Sequence, residues 1–357
     1  MIEVYKKFTP EKYDVLLEVS EEENGMRLDQ FCALHLLSFS RQQIKSKISD
    51  GEVKIHNRPF PHKASVKVYH REQINIFTYR GTYEDEYWNG VKINLKLDPD
   101  IIFEDENILV ISKPAYMTTH PTGKHLFNCA TVYFENKYGH TIHSIHRLDR
   151  ETSGVQLLGK NPKAANECTS HFENDLVKKC YFLMAHKNGA VSFPFTAKER
   201  MGNIDGYLPR QYMHCFPENS DDGKHAETHY EELFQNDDYI LALAFPKTGR
   251  QHQIRTHAAF HGFPLIGDKM YNGDPRIFMR FKDGLATIED HEIMEINRHA
   301  LHAIALKLPY PKNSNTIFRS KIPEDFIEYI KIHLPHISID YLEKDINQII
   351  KDRFHDK

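Results

Sequence analysis

The sequence predicts an α+β protein in which helices surround one large, mainly antiparallel mixed sheet, with a small α/β module before it. Short strand-like runs recur between about residues 100 and 310, and helical patterns interrupt them without regular alternation. No G-x-G-x-x-G and no Walker sequence occurs, so a dinucleotide-binding or P-loop enzyme is not expected. The clearest strand-like runs are KKCYFLMAH (178–186), ETHYEELF (227–234) and YILALAF (239–245), and the helical patterns are PKAANECTSHF (162–172) and QHQIRTHAAF (251–260).

Length and composition fit a globular protein with more than one domain. The chain has 357 residues, of which 40% are hydrophobic and 27% are charged. Five cysteines without a CxxC pair indicate reduced thiols rather than disulfides or a zinc site. Because no run of about 18 apolar residues and no secretory leader pattern is present, we expect a cytoplasmic protein without a membrane segment. The net charge of -4 still leaves room for a local basic groove that binds nucleic acid.

Changes in composition divide the chain into five segments. Residues 1–24 form an irregular or short-stranded lead-in, and residues 25–80 have their own order of helix, helix, strand and strand. An acidic stretch marks residues 81–100 as a linker. Residues 101–320 hold the strand-rich part, and the helical periodicity of residues 321–357 indicates a C-terminal extension.

The segment 25–80 begins with two short helices. Apolar residues recur at helical spacing from 28 to 36, and Ser40 followed by Gln43 is the start of a capping box for the second helix. Gly51 ends that helix, and the alternating strand EVKIHNRP follows. This order resembles the S4 RNA-binding module. The matching residues are Arg27, Leu28, Asp29, Ser40, Arg41, Gly51, Val53 and Asn57.

Two basic residues of this module are candidates for contacting RNA. Arg41 and Lys45 are four residues apart and share one helix face, which could meet a phosphate backbone. Arg27 of the matching N-terminal turn is a third candidate. The alternative is a small structural cap with a solvated charged face.

The strongest signal is HRLDRETSGVQLLGKN, residues 146–161. It closely resembles the HRLDxxTSG signature of the pseudouridine synthases that act on large ribosomal and transfer RNA. Two further segments match in family order, namely KKCY at 178–181 and TGRQHQIRTHAAFHGFPLIGD at 248–268, and the resemblance covers about residues 100–310. The matching residues are His146, Arg147, Leu148, Asp149, Thr152, Ser153 and Gly154 in the signature, Lys113 and Pro114 before it, and Lys179, Tyr181, Gly249, Arg250, His252, Gln253, Arg255 and His257 after it.

The chemistry of that family suits these residues. Isomerising uridine breaks the N1–C1′ bond, turns the base and joins C5 to C1′. A carboxylate near C1′ or C6 can attack as a nucleophile or remove a proton, and Asp149 between Arg147 and Arg150 is the candidate, since nearby guanidinium groups keep a carboxylate ionised. The resemblance implies that Tyr181 stacks on the flipped base and shares in proton removal, and that Arg255 pairs with the catalytic aspartate.

Further residues of the same elements are expected to bind the substrate. No cofactor, nucleotide or metal is expected, because the isomerisation needs none and H-E-x-x-H is absent. Taken singly, each residue could be structural, and it is their occurrence together that favours catalysis. The expected substrate-binding residues are His146, Arg147, Arg150, Thr152, Lys179, Arg250 and Gln253.

The sequence thus predicts a monomeric enzyme that isomerises specific uridines in structured RNA. The alternatives are a catalytically inactive RNA-binding protein of the same fold and an enzyme that acts on small nucleosides. Asp149, Tyr181 and Arg255 argue against the first, and the N-terminal module argues against the second. Both RNA substrates stay open, because the module favours ribosomal RNA whereas HPTG at residues 120–123 resembles the branch that acts on transfer RNA.

Overall fold

The protein folds into two compact units, an N-terminal unit of residues 1–85 and 118–142 and a C-terminal unit of residues 86–117 and 143–357. The computed structural model describes residues 2–9, 11–36, 39–81, 84–122, 125–207, 209–312 and 314–355. Gly123 of the HPTG segment lies outside the described residues.

A four-stranded antiparallel sheet and the first two helices share one apolar core in the N-terminal unit. Its elements are β1 (Ile2–Phe8), β2 (Lys12–Glu18), α1 (Leu28–His35), α2 (Arg41–Ser49), β3 (Val53–Ile55), β4 (Gln73–Tyr79) and α3 (Ala130–Tyr138). The strand order is β1-β2-β4-β3. The predicted order of helix, helix, strand and strand is confirmed from α1 to β4.

The capping box predicted for α2 is present. The backbone N–H of Ser40 donates to Gln43 Oε1 at 2.8 Å, and the backbone N–H of Gln43 donates to Ser40 Oγ at 3.3 Å. The helix turns its apolar residues to the core and leaves Arg41 and Lys45 exposed.

The lead-in predicted for residues 1–24 is part of this sheet instead. β2 pairs with β4 along its full length, and β1 pairs with β2. Val15 and Leu17 of β2 are buried in the same core as Leu28 of α1. An isolated pair of strands is only marginally stable in water, so the first two strands depend on the rest of this sheet and core. Residue 24 therefore marks no structural border.

A ten-stranded mixed sheet dominates the C-terminal unit, as the sequence predicts. Its strands are β7 (Asp100–Glu104), β8 (Ile108–Lys113), β9 (His143–Ser144), β10 (Ser153–Gly159), β11 (Lys178–His186), β12 (Phe195–Ala197), β15 (Thr228–Gln235), β16 (Tyr239–Pro246), β17 (Leu301–Leu308) and β18 (Thr316–Arg319). The main path runs β12-β15-β16-β11-β17-β10-β8-β7, with β18 beside β17 and β9 beside β10. Of the strand pairs in the described residues, β10 with β17 is parallel and the others are antiparallel.

Helices and two small hairpins complete this unit. The hairpins are β5 (Tyr87–Trp88) with β6 (Val91–Lys92) and β13 (Arg200–Gly202) with β14 (His214–Phe216), and the helices are α4 (Pro162–Glu173), α5 (Gln253–Phe260), α6 (Arg276–Asp283), α7 (Ile288–Met294), α8 (Glu324–His333) and α9 (Ile339–His355). Of all helices in the described chain, none is both long and apolar enough to cross a membrane.

Helices α8 and α9 belong to the core of the C-terminal unit, whereas the sequence predicts a separate extension at 321–357. Phe326 of α8 lies against Phe182 of β11, with ring centroids 6.3 Å apart. Ile346 and Phe354 of α9 are buried in the same cluster. The periodic apolar residues explain this difference, because an amphipathic helix stabilises the fold by burying its apolar face.

The predicted linker at 81–100 also contributes ordered structure. The turn between β5 and β6 uses Asn89 and Gly90, which both have positive φ (49° and 74°), as this kind of tight turn requires. Trp88 stacks on Phe281 of α6, with ring centroids 5.8 Å apart and an interplanar angle of 7°. The hairpin is therefore held within the C-terminal unit.

Candidate active site

A cavity of about 620 Å³ in the C-terminal unit brings the three sequence elements together. The HRLD segment precedes β10, Lys179 and Tyr181 lie on β11, and the TGRQHQIR segment joins β16 to α5. These segments are far apart in the chain. They meet because β10, β17, β11 and β16 are successive neighbours in the sheet.

Two carboxylates hold the Arg255 guanidinium between them. Nε and Nη2 donate to Oδ2 and Oδ1 of Asp268 at 2.6 and 2.8 Å, and Nη1 donates to Oδ2 of Asp149 at 3.0 Å. Backbone N–H groups of Met270 and Tyr271 also donate to Asp268. The Asp149 side chain is 27% exposed and that of Asp268 is 0% exposed, so Asp149 is the carboxylate that a substrate can reach.

Electrostatic interactions keep Asp149 ionised. Burial alone would raise the pKa of Asp149, but the charges of His252 and Arg255 outweigh it and hold that pKa below its usual 3.8. Burial and the Arg255 charge lower the pKa of His252 to about 4. Because His252 is then neutral at neutral pH, Arg255 is the cation that acts on Asp149 under those conditions.

A buried lysine fixes the backbone beside Asp149. Lys113, at the end of β8, is 0% exposed, and its Nζ donates to the carbonyl oxygens of Pro114, Met117 and Arg150 at 3.0, 2.7 and 3.3 Å. An ammonium group has three N–H donors, and the three carbonyl oxygens match them. Lys113 thus acts as a clip between β8 and the residue that follows Asp149.

The HRLD loop is also tied to the sheet by two histidines. The backbone N–H of Leu157 on β10 donates to Nε2 of His146 at 2.9 Å. The Thr152 hydroxyl pairs with Nε2 of His299 at 2.7 Å. These bonds leave the loop little freedom, so Asp149 is held in place before any substrate arrives.

The glycine that follows the loop has no room for a side chain. Gly154 has φ 110°, and a Cβ there would lie 2.2 Å from the carbonyl oxygen of Ala303. This close approach accompanies the short parallel pairing in which Gly154 of β10 lies opposite Ala303 of β17.

Replacing Gly154 with alanine is expected to lower the free energy of unfolding by more than about 3 kcal/mol, since the added methyl meets both backbone strain and a fixed carbonyl. Gly284 is the matched control, because it has φ 71° with nothing within 4 Å of an added Cβ. Gly284→Ala should cost about 1 kcal/mol. Urea unfolding of both variants tests this, and equal losses would contradict it.

Tyr181 and Lys179 line the same cavity from β11. Burial and then the Asp149 carboxylate raise the pKa of Tyr181 well above its usual range, so the phenol keeps its proton at neutral pH. Nζ of Lys179 donates to the carbonyl oxygen of Thr248 at 3.4 Å. The cavity thus offers an ionised carboxylate, a neutral phenol and basic side chains to one substrate.

Comparison with known proteins identifies this arrangement. The model of the RNA pseudouridylate synthase family matches residues 107–260. The uncharacterized RNA pseudouridine synthase YjbO of Bacillus subtilis is 31% identical over 239 residues, which cover 65% of this chain and 75% of that protein. This chain belongs to the RNA pseudouridine synthase family.

Other relatives of the synthase extend further along the chain. Ribosomal large subunit pseudouridine synthase D of Haemophilus ducreyi is 29% identical over 326 residues, which cover 88% of this chain and 93% of that protein. The solved structure of human RNA Pseudouridylate Synthase Domain Containing 4 has a TM-score of 0.50 and 25% identity, and the match covers 65% of this chain and 91% of that chain. The predicted α+β fold class and the resemblance to the pseudouridine synthases are confirmed.

The structure places most of the predicted site residues of the synthase around the cavity. The basic side chains of Arg147 and Arg250 are exposed there. In the part of the chain that is described, no three His, Cys, Asp or Glu side chains are grouped to hold a metal ion. The predicted residues that line the cavity are Asp149, Tyr181, Arg255, His146, Arg147, Thr152, Lys179, Arg250 and Gln253.

Arg150 is the exception and corrects the sequence prediction. Its Nη1 pairs with Glu86 Oε1 at 2.5 Å, and its guanidinium lies 5.2 Å from the centre of the Tyr116 ring. It is not among the residues that line the cavity. Arg255 is thus the direct charge partner of Asp149, as the family resemblance implies, whereas the Arg150 guanidinium pairs with Glu86.

Gln253 lines the cavity with its amide already engaged. Nε2 donates to the carbonyl oxygen of Glu227 and to Thr228 Oγ1, both at 2.9 Å. Oε1 accepts from the Thr248 hydroxyl at 2.7 Å and from the backbone N–H of Arg250 at 2.9 Å. Its amide thus shapes the segment before α5, whereas the sequence predicts a substrate contact.

Sequence reasoning missed Asp268 and Tyr271. Asp268 ends the third family element, and its position after Gly267 was the only signal available. Tyr271 lies beyond that element, yet its ring packs 5.2 Å from the Arg255 guanidinium and its hydroxyl contacts His252.

Proposed function

We propose that this synthase converts uridine in large-subunit ribosomal RNA to pseudouridine, with Asp149 as its catalytic carboxylate. The observation that carries the proposal is a partly exposed, ionised carboxylate, held at 3.0 Å by the buried Arg255 guanidinium inside the cavity. Relatives named ribosomal large subunit pseudouridine synthase D match along most of their length, which favours ribosomal over transfer RNA.

The reaction needs a flipped nucleotide and a reactive carboxylate beside it. A cavity of about 620 Å³ is large enough for one nucleotide. Asp149 either bonds to C1′ or C6 of the substrate, a bond that breaks again before the product leaves, or removes a proton that it later returns, as the N1–C1′ bond breaks. The base then turns, C5 bonds to C1′, and the C5 proton leaves.

Tritium release tests this function directly. Large-subunit ribosomal RNA and transfer RNA from cells that lack the gene are labelled at C5 of uridine and incubated with the protein. Release from ribosomal RNA, at a position then mapped by chemical modification, supports the proposal. Release from transfer RNA alone would overturn the substrate assignment, and release from neither would favour the inactive RNA-binding protein.

Tyr181→Phe is expected to lower the single-turnover rate by about 100-fold or more, because it keeps the ring under the base and removes the hydroxyl from proton transfer. RNA affinity should stay within about threefold, since the aromatic surface is retained. Rapid-quench tritium release and filter binding measure the two quantities. A wild-type rate would reduce Tyr181 to a stacking or core role.

The N-terminal module is proposed to bind RNA outside the catalytic cavity. Arg41 and Lys45 are exposed on α2, where no core contact requires them. Arg27 is less available, because it makes two hydrogen bonds to Asp29 at 2.9 and 2.8 Å. The division of labour between an RNA-binding N-terminal unit and a catalytic C-terminal unit is likewise a proposal, as are the monomeric state and the cytoplasmic location.

Arg41→Ala with Lys45→Ala is expected to weaken RNA binding. It should also flatten the slope of log affinity against log salt concentration by about one to two, because fewer counterions leave the RNA when fewer phosphates are contacted. The control is Lys331→Ala with Lys351→Ala, two exposed lysines of α8 and α9 with the same loss of charge. Fluorescence anisotropy across a salt series measures both. Identical slopes for the two double variants would favour a structural cap.

A further inference from the structure

His252 holds an unusual backbone conformation at the edge of the catalytic cavity. It precedes α5 with φ 56° and ψ 14°, a left-handed conformation that glycine adopts readily and histidine seldom does. The residue lines the same cavity as Asp149 and Tyr181. Strained backbone at a cavity wall often accompanies a functional side chain, so the contacts of the imidazole ring are informative.

A chain of hydrogen bonds engages one nitrogen of this ring. The backbone N–H of Met213 donates to the Tyr271 hydroxyl oxygen at 2.9 Å, and that oxygen lies 3.0 Å from Nδ1 of His252. The Thr256 hydroxyl is a second side-chain partner of that oxygen and itself donates to the carbonyl oxygen of His252 at 3.1 Å. In the tautomer in which the Tyr271 hydroxyl donates to Nδ1, the neutral ring carries its proton on Nε2.

The other ring nitrogen is available to a ligand. Among the described residues no hydrogen-bond partner faces Nε2 of His252, and this atom is not among the buried unpaired polar atoms. Burial and the Arg255 charge lower the pKa of His252 to about 4, so the ring is neutral at neutral pH. In the tautomer with Nδ1 as the acceptor, His252 presents a neutral N–H donor in the cavity that holds Asp149.

We infer that His252 is a specificity-determining residue whose Nε2–H donates to the C4 carbonyl oxygen of the flipped uracil. This inference rests on the proposed function. Uracil has a hydrogen-bond acceptor at C4, whereas cytosine has an amino group there. A fixed N–H donor therefore favours uracil, because with cytosine it would face another N–H donor. Tyr271 is the positioning residue, because its hydroxyl fixes which ring nitrogen carries the proton.

Three variants separate this role from a structural one. His252→Gly removes the ring at a backbone conformation that glycine adopts without strain. His252→Asn keeps an amide N–H donor and a residue that tolerates positive φ. Tyr271→Phe leaves the imidazole and removes only the hydroxyl that orients its proton, so it tests the inference even if the glycine variant folds poorly.

The experiment compares a hairpin transcript carrying the mapped target uridine with a twin carrying cytidine at that position. The cytidine RNA is used as a competitive inhibitor of tritium release from the uridine RNA. For the wild-type protein, we expect the inhibition constant of the cytidine RNA to exceed the KM of the uridine RNA by about tenfold. In His252→Gly the two values should agree within about twofold, with partial recovery in His252→Asn and an intermediate ratio in Tyr271→Phe.

The outcomes separate this inference from the proposed function. An active wild-type protein whose preference for uridine is unchanged in His252→Gly and Tyr271→Phe overturns the inference and leaves the function intact. A loss of rate in these variants with an unchanged preference for uridine also overturns it, because that pattern would show that His252 and Tyr271 only hold Arg255 in place. A wild-type protein without tritium release on any RNA defeats the proposed function itself.

Discussion

Asp149→Asn is expected to abolish pseudouridine formation, with a loss of at least about 10⁴-fold in the single-turnover rate. The amide is nearly isosteric with the carboxylate but is neither a nucleophile nor a base at neutral pH. Arg255 keeps its two bonds to Asp268, so the wall of the cavity should persist in the variant. The measurement is tritium release from RNA labelled at C5 of uridine, under enzyme excess.

RNA affinity is the control for this variant, and it should stay within a few fold of the wild-type value. Mass spectrometry must exclude deamidation, since a small fraction of restored aspartate would imitate residual activity. Turnover at a tenth of the wild-type rate in a preparation free of aspartate would refute the assignment of Asp149.

Asp268→Asn should cause the second largest effect, because Asp268 holds Arg255 through both carboxylate oxygens. In the variant the amide nitrogen must face either an Arg255 N–H or the backbone N–H groups of Met270 and Tyr271, and each is a donor. We expect a loss of about 3–5 kcal/mol in the free energy of unfolding, and about 100-fold in rate as Asp149 loses its fixed partner.

Asp274→Asn is the matched control, because Asp274 pairs with Arg276 at the surface, where the arginine side chain is 82% exposed. This change should leave the free energy of unfolding nearly unchanged, because solvent screens the exposed pair. Unfolding in urea measures both variants, and equal small losses would show that the buried pair has no special weight.

The stability effect of Asp268 should depend on pH in one direction. Burial would raise the pKa of Asp268, but Arg255 and the backbone N–H donors hold it below its usual 3.8. A carboxylate with a lowered pKa stabilises the fold fully above its ordinary value and loses that contribution as pH falls through the lower one. The difference between the wild-type protein and Asp268→Asn should therefore be constant from about pH 5 to 8 and shrink only in stronger acid.

The sequence predicted those features that local patterns or family motifs encode. The capping box at Ser40 and the pairing of Arg255 with Asp149 are both present. The sequence could not predict the orientation of Arg150, because neighbouring side chains of the HRLD loop point in different directions and its partner Glu86 is distant in the chain. The position of α8 and α9 in the core depends on long-range packing. The periodicity of the sequence indicates that each helix has an apolar face, but not what that face packs against.

Other features of the site depend on contacts that no sequence window contains. Met213, His252 and Tyr271 come from three separate segments, and only the folded sheet brings their hydrogen bonds into line. Asp268 lies 13 residues from Arg255, beyond the last turn of α5, so a helical pattern does not relate the two. The sequence therefore indicated Asp149 better than the groups that hold it.

The clip formed by Lys113 has a consequence for how binding energy is divided between protein and RNA. The Lys113 ammonium group and the hydrogen bonds of His146 and Thr152 already immobilise the HRLD loop. The loss of conformational entropy on ordering this loop therefore occurs when the protein folds, and not when RNA binds. Under the proposed function, the nucleic acid then supplies the rearrangement, because the target uridine must be unstacked to enter the cavity. Selection among uridines would thus depend on how readily each RNA site opens, as well as on its sequence.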